Sequence, residues 1–194
     1  MTSRSDLKQQ SREKILDSAA RRMRVEGLDG SGIAAVMSDA GLTHGAFYSH
    51  FKNKDEMLRS ALEHALLDNR QRWVGRSKKE SWGQRLGRLA KRYLTPAHRR
   101  DLHNSCALAA LCSEASRGDD AFKSSYEEEL IKSLSALTEC DFADADPQQA
   151  EEALAYMSLL IGSITLSRAV SSKDLSDKLL QAGKNAAENL SQSK

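Results

Sequence analysis

Two prolines and eleven glycines in 194 residues leave this chain too few turn formers for a fold of many short strands. Runs rich in Ala, Leu, Arg, Lys and Glu fill the space between them, so the expected class is all-α. The length suits one ordinary domain, or a small domain fused to a larger one, with a real core. No run approaches the roughly 18 apolar residues of a membrane span, and no apolar stretch follows the polar start, so neither a membrane anchor nor a secretory leader is expected. Three cysteines are too few for a disulfide scaffold and suit a reducing cytoplasm, the compartment expected here.

Apolar spacing divides the chain into helices. Ile15, Ala19 and Met23, flanked by Leu16 and Ala20, mark a first helix over about 11–26, preceded by an irregular basic start with Arg4 and Lys8. Gly27 should end it by taking a positive φ, and Ser31 should cap a second helix over about 32–40. Gly41 breaks that helix, and Thr43 stands where a third, over about 43–49, needs a cap. Asn53 followed by Glu56 reads as a capping box for a linking helix over 53–75. Trp82, Leu86, Leu89 and Tyr93 mark the next helix, which Pro96 stops. Further helices are expected over 106–115, 120–139 (with Glu127, Glu128 and Glu129 outward), 147–170 and 175–190. The expected division is a small domain over 1–55 and a larger helical domain over 56–194.

The stretch from Gly32 to Phe51 carries the functional signal. Two short helices joined at Gly41 form a helix-turn-helix, whose second helix is slim enough for a DNA major groove. Ile33, Val36 and Leu42 are apolar where the helices must pack, and Phe47 and Phe51 belong to a small core. Thr43 can cap or bond a phosphate. His44, Gly45 and Ala46 form the leading edge, with Ala46 able to meet a thymine methyl. Tyr48, Lys52 and Lys54 can hold phosphates, as can Ser31 and the basic start.

From Ser11 to Leu66 the chain resembles the DNA-binding domain of the TetR family of bacterial transcriptional regulators. Ile33-Ala34, Ala40-Gly41-Leu42-Thr43, Gly45, Phe47-Tyr48, His50-Phe51, Lys54 and Met57-Leu58 carry the likeness in order and spacing. A departure is Gly30-Ser31-Gly32, where the family has a threonine-rich entry to the second helix. The resemblance implies an all-α protein: a three-helix N-terminal helix-turn-helix domain joined to a larger ligand-binding and dimerisation domain. It also implies a homodimer through helices 147–170 and 175–190, binding double-stranded operator DNA as an inverted repeat. The stripe Leu154, Met157, Leu160, Ile161, Ile164 and Leu166, with Gly162 and Ser163 allowing close approach, would meet the partner; ordinary core packing is the alternative. The expected role is a repressor released by a small molecule or an electrophile. The alternative is a helical ligand- or protein-binding module that keeps the fold without regulating DNA.

That resemblance further implies an effector cavity in the larger domain, unknown in its ligand, for which Trp82, Leu86, Tyr93, Cys106, Ala110, Phe122, Tyr126, Tyr156 and Leu160 are candidates to line the wall. Cys106 is also the redox-sensing candidate: a helix start and the preceding Arg99 and Arg100 would lower its thiol pKa. The alternative is a small buried hydrophobe. Cys106 and Cys112 lie ~240° apart round a helix and cannot bridge within it. His98 and His103 near these cysteines lack zinc-finger spacing, so no metal is expected. No nucleophile triad, phosphate loop or zinc-protease pattern occurs, so no catalytic residues, no cofactor and no enzymatic activity are expected.

Charge is uneven: residues 70–103 carry a net +9 and residues 104–194 a net −7. That asymmetry fits either contact with a polyanion or a solvated helical face neutralised by the acidic half after folding.

Overall fold

The structure, a computed structural model, describes residues 3–75 and 79–190. Arg76 and Lys78 of the basic run lie outside them. Among the described residues the chain is helical throughout: α1 (Arg4–Glu26), α2 (Ile33–Asp39), a 3-10 segment (His44–Ser49), α3 (Lys54–Trp73), α4 (Trp82–Tyr93), α5 (Pro96–Arg100), α6 (Ala107–Arg117), α7 (Asp120–Thr138), α8 (Pro147–Ala169) and α9 (Lys173–Leu190). A 3-10 turn, Phe142–Asp144, joins α7 to α8.

Side-chain caps explain most helix starts. Asn53 accepts from the Glu56 N–H, but Glu56 bonds the Lys52 N–H rather than returning to Asn53, so only half of the expected box forms. Ser81 and Gln84 make a complete box for α4. The Asp119 and Asp146 side chains cap α7 and α8. A Ser3–Asp6 box starts α1 at Arg4 rather than near residue 11, so Arg4 and Lys8 lie on regular helix instead of an irregular start. The added turns are exposed and carry no apolar stripe, which is why periodicity hid them. Likewise α5, five residues beginning with Pro96, is too short for a period.

Buried Ile15, Leu16, Ala19 and Met23 of α1 meet Val36 and Met37, then Phe47 and Phe51, then Met57, Ala61 and Leu62 of α3. Toward its end α3 also packs on α6 and α7, through Asn69 on Ala107 and Arg70 on Glu129, so one continuous helix belongs to both ends of the molecule. Further on, α8 lies along α9, and α4 packs on α9. The α8–α9 approach is close enough that a Cβ on Gly183 would sit 2.4 Å from Ser163 Oγ. Ser163 therefore faces α9 of its own chain, not a partner, and Leu160 and Ile164 are also buried. Gly162 instead faces open space, and Leu154 and Leu166 remain exposed.

Glu129, expected outward, is buried. Its carboxylate accepts from Arg70 of α3 at 2.6 Å and from Lys132 at 2.6 Å. The basic run is neutralised in the same manner elsewhere. Arg85 and Arg88 meet Glu80, Arg85 meets Glu139, Lys91 meets Glu188, and Arg99 meets Asp177. Much of the charge asymmetry is thus spent on pairs within the chain.

Candidate nucleic-acid interface and inner cavity

The helix-turn-helix is anchored from α1. Ser18 Oγ donates to the Val36 carbonyl at 3.1 Å, and Arg22 bonds both the Gly30 carbonyl and Asp39, tying both ends of α2 down. The turn that follows depends on Gly41, whose φ of +69° favours glycine, and it closes with Leu42 N–H on Met37 O at 2.9 Å. The segment His44–Ser49 then winds as 3-10 helix. With six residues, its bonds run three apart, as in Ala46 N–H to Thr43 O at 3.0 Å.

Phe47 is wholly buried, in contact with Phe51 at 5.7 Å between ring centroids. The opposite side is open: Thr43, His44 and Gly45 are exposed, Ala46 is half-buried, and Tyr48 is 63% exposed with its ring edge-on to Phe47. Thr43 occupies the capping position, yet its side chain makes no capping bond, which leaves the hydroxyl unused by the helix. Lys52 is exposed and Lys54 half-exposed where α3 begins.

Ser31 departs from expectation. It is fully buried, and its hydroxyl donates to the Gly27 carbonyl at 2.9 Å, so it neither caps α2 nor reaches a phosphate. Gly32 takes the capping place without a side chain. Arg12 of α1 lies over the Phe51 ring at 5.1 Å. Burial, with Lys8 and Arg12 nearby, lowers the His50 pKa below its usual value. These two cations of α1 therefore add positive charge beside the exposed segment. Their signal in the sequence was their four-residue spacing on the polar face of the first helix.

In the larger domain a small cavity of about 60 Å³ lies between α3, α4, α6, α7 and α8. Tyr93, Cys106, Tyr156 and Leu160 line it as expected from sequence. Trp82, Leu86, Ala110, Phe122 and Tyr126 do not. Trp82 instead donates to Glu152 at 2.7 Å, Tyr126 donates to the Leu108 carbonyl at 2.7 Å, and Phe122 lies against Leu28 and Leu58. Sequence reasoning missed the wall supplied by α3, namely Leu66, Asn69, Arg70 and Trp73, with Val74 just beyond. The available signal was Asn69, a polar residue set into the stripe Leu62, Leu66, Trp73.

Cys106 caps α6 by position, but burial dominates and pushes its thiol pKa up rather than down. Arg99, expected to lower it, is engaged with Asp177 and Ser176. The sequence-based case for an activated Cys106 thiolate is therefore overturned. The neighbouring His98 is held at both nitrogens, Nδ1 to the Tyr93 carbonyl and Nε2 accepting from the Cys106 N–H at 3.2 Å. Burial lowers its pKa to about 4, so the ring is neutral at pH 7. Two residues of the cavity wall hold buried polar atoms without a strong partner: Asn69 Nδ2, and the Tyr93 hydroxyl with only the Cys106 thiol beside it; an unmade bond of this kind costs about 1–3 kcal/mol.

Residues 15–61 match the family model described as bacterial regulatory proteins, tetR family. Across nearly its whole length the chain is similar in fold to solved structures. Reduced NemR from E. coli has a TM-score of 0.75 at 17% identity, with 92% of this chain and 95% of that one covered. A TetR transcriptional regulator from Chloroflexus aurantiacus gives 0.76 at 19%, with 96% of each covered. AibR in complex with isovaleryl coenzyme A and operator DNA gives 0.63 at 14%, with 91% and 97% covered. At these identities the likeness is one of fold. No curated protein matches the chain.

Proposed function

Because this chain carries the N-terminal domain of the bacterial tetR family of regulatory proteins, we propose that it is a homodimeric repressor, released from an inverted-repeat operator by a small molecule in the inner cavity. One observation carries the DNA half of this reading. Thr43, His44, Gly45 and Tyr48 stand exposed on a narrow segment whose other side is pinned by a fully buried Phe47. His44, Gly45 and Ala46 would meet base edges, while Thr43, Tyr48, Lys52 and Lys54 would hold phosphates, joined by Lys8 and Arg12.

Two such segments must stand about 34–36 Å apart to read successive major grooves, which asks for a symmetric pair. Exposed Leu154 and Leu166 on α8, and Leu175 on α9, supply apolar surface on which a second copy can close. Release follows from α3, which begins at the DNA-reading unit and ends as a cavity wall. That AibR, a protein of this fold, is seen with both a ligand and operator DNA supports the pairing of the two activities. The burial of Cys106 favours reversible occupancy over covalent capture.

A mobility shift with the DNA upstream of its own reading frame, at low ionic strength, tests the proposal. A retarded band is expected. Lys54→Ala should weaken all sequences alike and reduce the salt slope by about 0.9, whereas His44→Ala should change base preference. Indifference to that DNA would overturn the reading.

A further inference from the structure

We propose that the inner cavity takes a neutral, mainly apolar molecule bearing one carbonyl oxygen, to which Asn69 Nδ2 and the Tyr93 hydroxyl both donate. This rests on the reading of the cavity as an effector site and adds the chemistry of the effector. The walls are largely hydrocarbon and aromatic, from Leu66, Leu89, Leu108, Leu137 and Leu160 with Trp73. Among the polar groups on those walls, most are already used. The Tyr156 hydroxyl donates to the Leu86 carbonyl, Ser133 to the Glu129 carbonyl, and Arg70 to the Glu129 carboxylate.

Asn69 and Tyr93 are different. The Asn69 oxygen accepts from the Ala107 N–H at 3.0 Å, which fixes its amide orientation, and its Nδ2 is left buried without a partner. Tyr93, 6% exposed, has a hydroxyl served only by the Cys106 thiol, a weak acceptor that a carbonyl oxygen would displace. Nδ2 can only donate, so the ligand must offer an acceptor, and a carbonyl oxygen has two lone pairs to receive both groups. Both residues stand against the first residues of α6, Asn69 on Ala107 and Tyr93 beside Cys106, and one carbonyl oxygen would lie between them.

Charge on the ligand is disfavoured from either side. Arg70 is held by Glu129, which Lys132 also contacts, so an anion would enter an apolar cavity without a free cation on its wall, and a cation without a free carboxylate. Arg70, Trp73, Val74 and Met157 are part-exposed and border the mouth. The cavity of about 60 Å³ thus receives the oxygen-bearing end, while the apolar remainder lies against the mouth, where the flexible Met157 can adapt.

Titration of the purified full chain with acetophenone and with ethylbenzene, nearly equal in shape, tests this by calorimetry or thermal shift. Acetophenone should bind roughly tenfold more tightly, and more tightly than benzoate. Tyr93→Phe removes an oxygen whose partner in the free protein is only the weak Cys106 thiol. It should weaken acetophenone several-fold and leave ethylbenzene unchanged. Parity between the two ligands in the unmodified chain, a preference for benzoate, no saturable acetophenone binding, or an acetophenone affinity unmoved by Tyr93→Phe would each overturn the proposal. These measurements need no DNA. A chain that keeps the carbonyl preference but ignores its operator sinks the repressor reading alone; one that binds operator without the preference sinks this proposal alone.

Discussion

At the scale of single residues, accessibility decides what a side chain does, and a sequence shows residue type rather than depth. Ser31 sits at the entry to α2 where a phosphate contact would be useful, yet its hydroxyl is turned inward to Gly27. Cys106 stands at a helix start that would favour a thiolate in water, but burial reverses the effect. Cys112 and Cys140 are exposed. A thiol reagent added to the native protein should therefore modify Cys112 and Cys140 quickly, with Cys106 following only after denaturant is added; fast modification of Cys106 would contradict its burial. Phe47, by contrast, was readable: a wholly apolar ring beside Tyr48, whose hydroxyl favours water, is the one of the two to fall inward.

At the scale of elements, the sequence displayed helices wherever an apolar stripe or a capping side chain marked them. Asn53 and Asp119 are capping residues visible by eye, and the helices after them start where expected. Hidden features were those without a period: the polar first turns of α1, the five residues of α5, and the use of α3 as a wall as well as a connector. The cavity was legible only in part for that reason, since its α3 side depends on which helices meet, a non-local fact. Glu129 shows the same limit, because a run of three glutamates gives no sign of which one will face Arg70. With Glu129 removed, Arg70, whose side chain is 14% exposed, would lose its partner. Glu129→Ala should cost about 3 kcal/mol in denaturant unfolding, while a paired Arg70→Met, Glu129→Met variant should recover most of that loss. An unchanged midpoint for Glu129→Ala would show that the pair contributes little.

Over the whole molecule, four cations of the +9 segment, Arg70, Arg85, Lys91 and Arg99, find carboxylates of the −7 segment, while Lys8, Arg12, Lys52 and Lys54 lie near the exposed 3-10 segment. The outer face of α8 holds Leu154 at 48% and Leu166 at 54% exposure, high enough for a lone chain to leave much of that surface wet. If these residues join two copies, Leu154→Glu with Leu166→Glu should yield a folded monomer in sedimentation analysis, with operator affinity lost at the same time. A dimer that persists would move the interface elsewhere. Twenty residues of uninterrupted helix make α3 about 30 Å long. A tilt of about 5° forced at its Trp73 end would displace its Lys54 end by roughly 2.5 Å. If two copies pair about a twofold axis on a rigid duplex, the mirrored displacement would double the misfit, and a guest no larger than one ring would have enough mechanical reach to unseat both halves together.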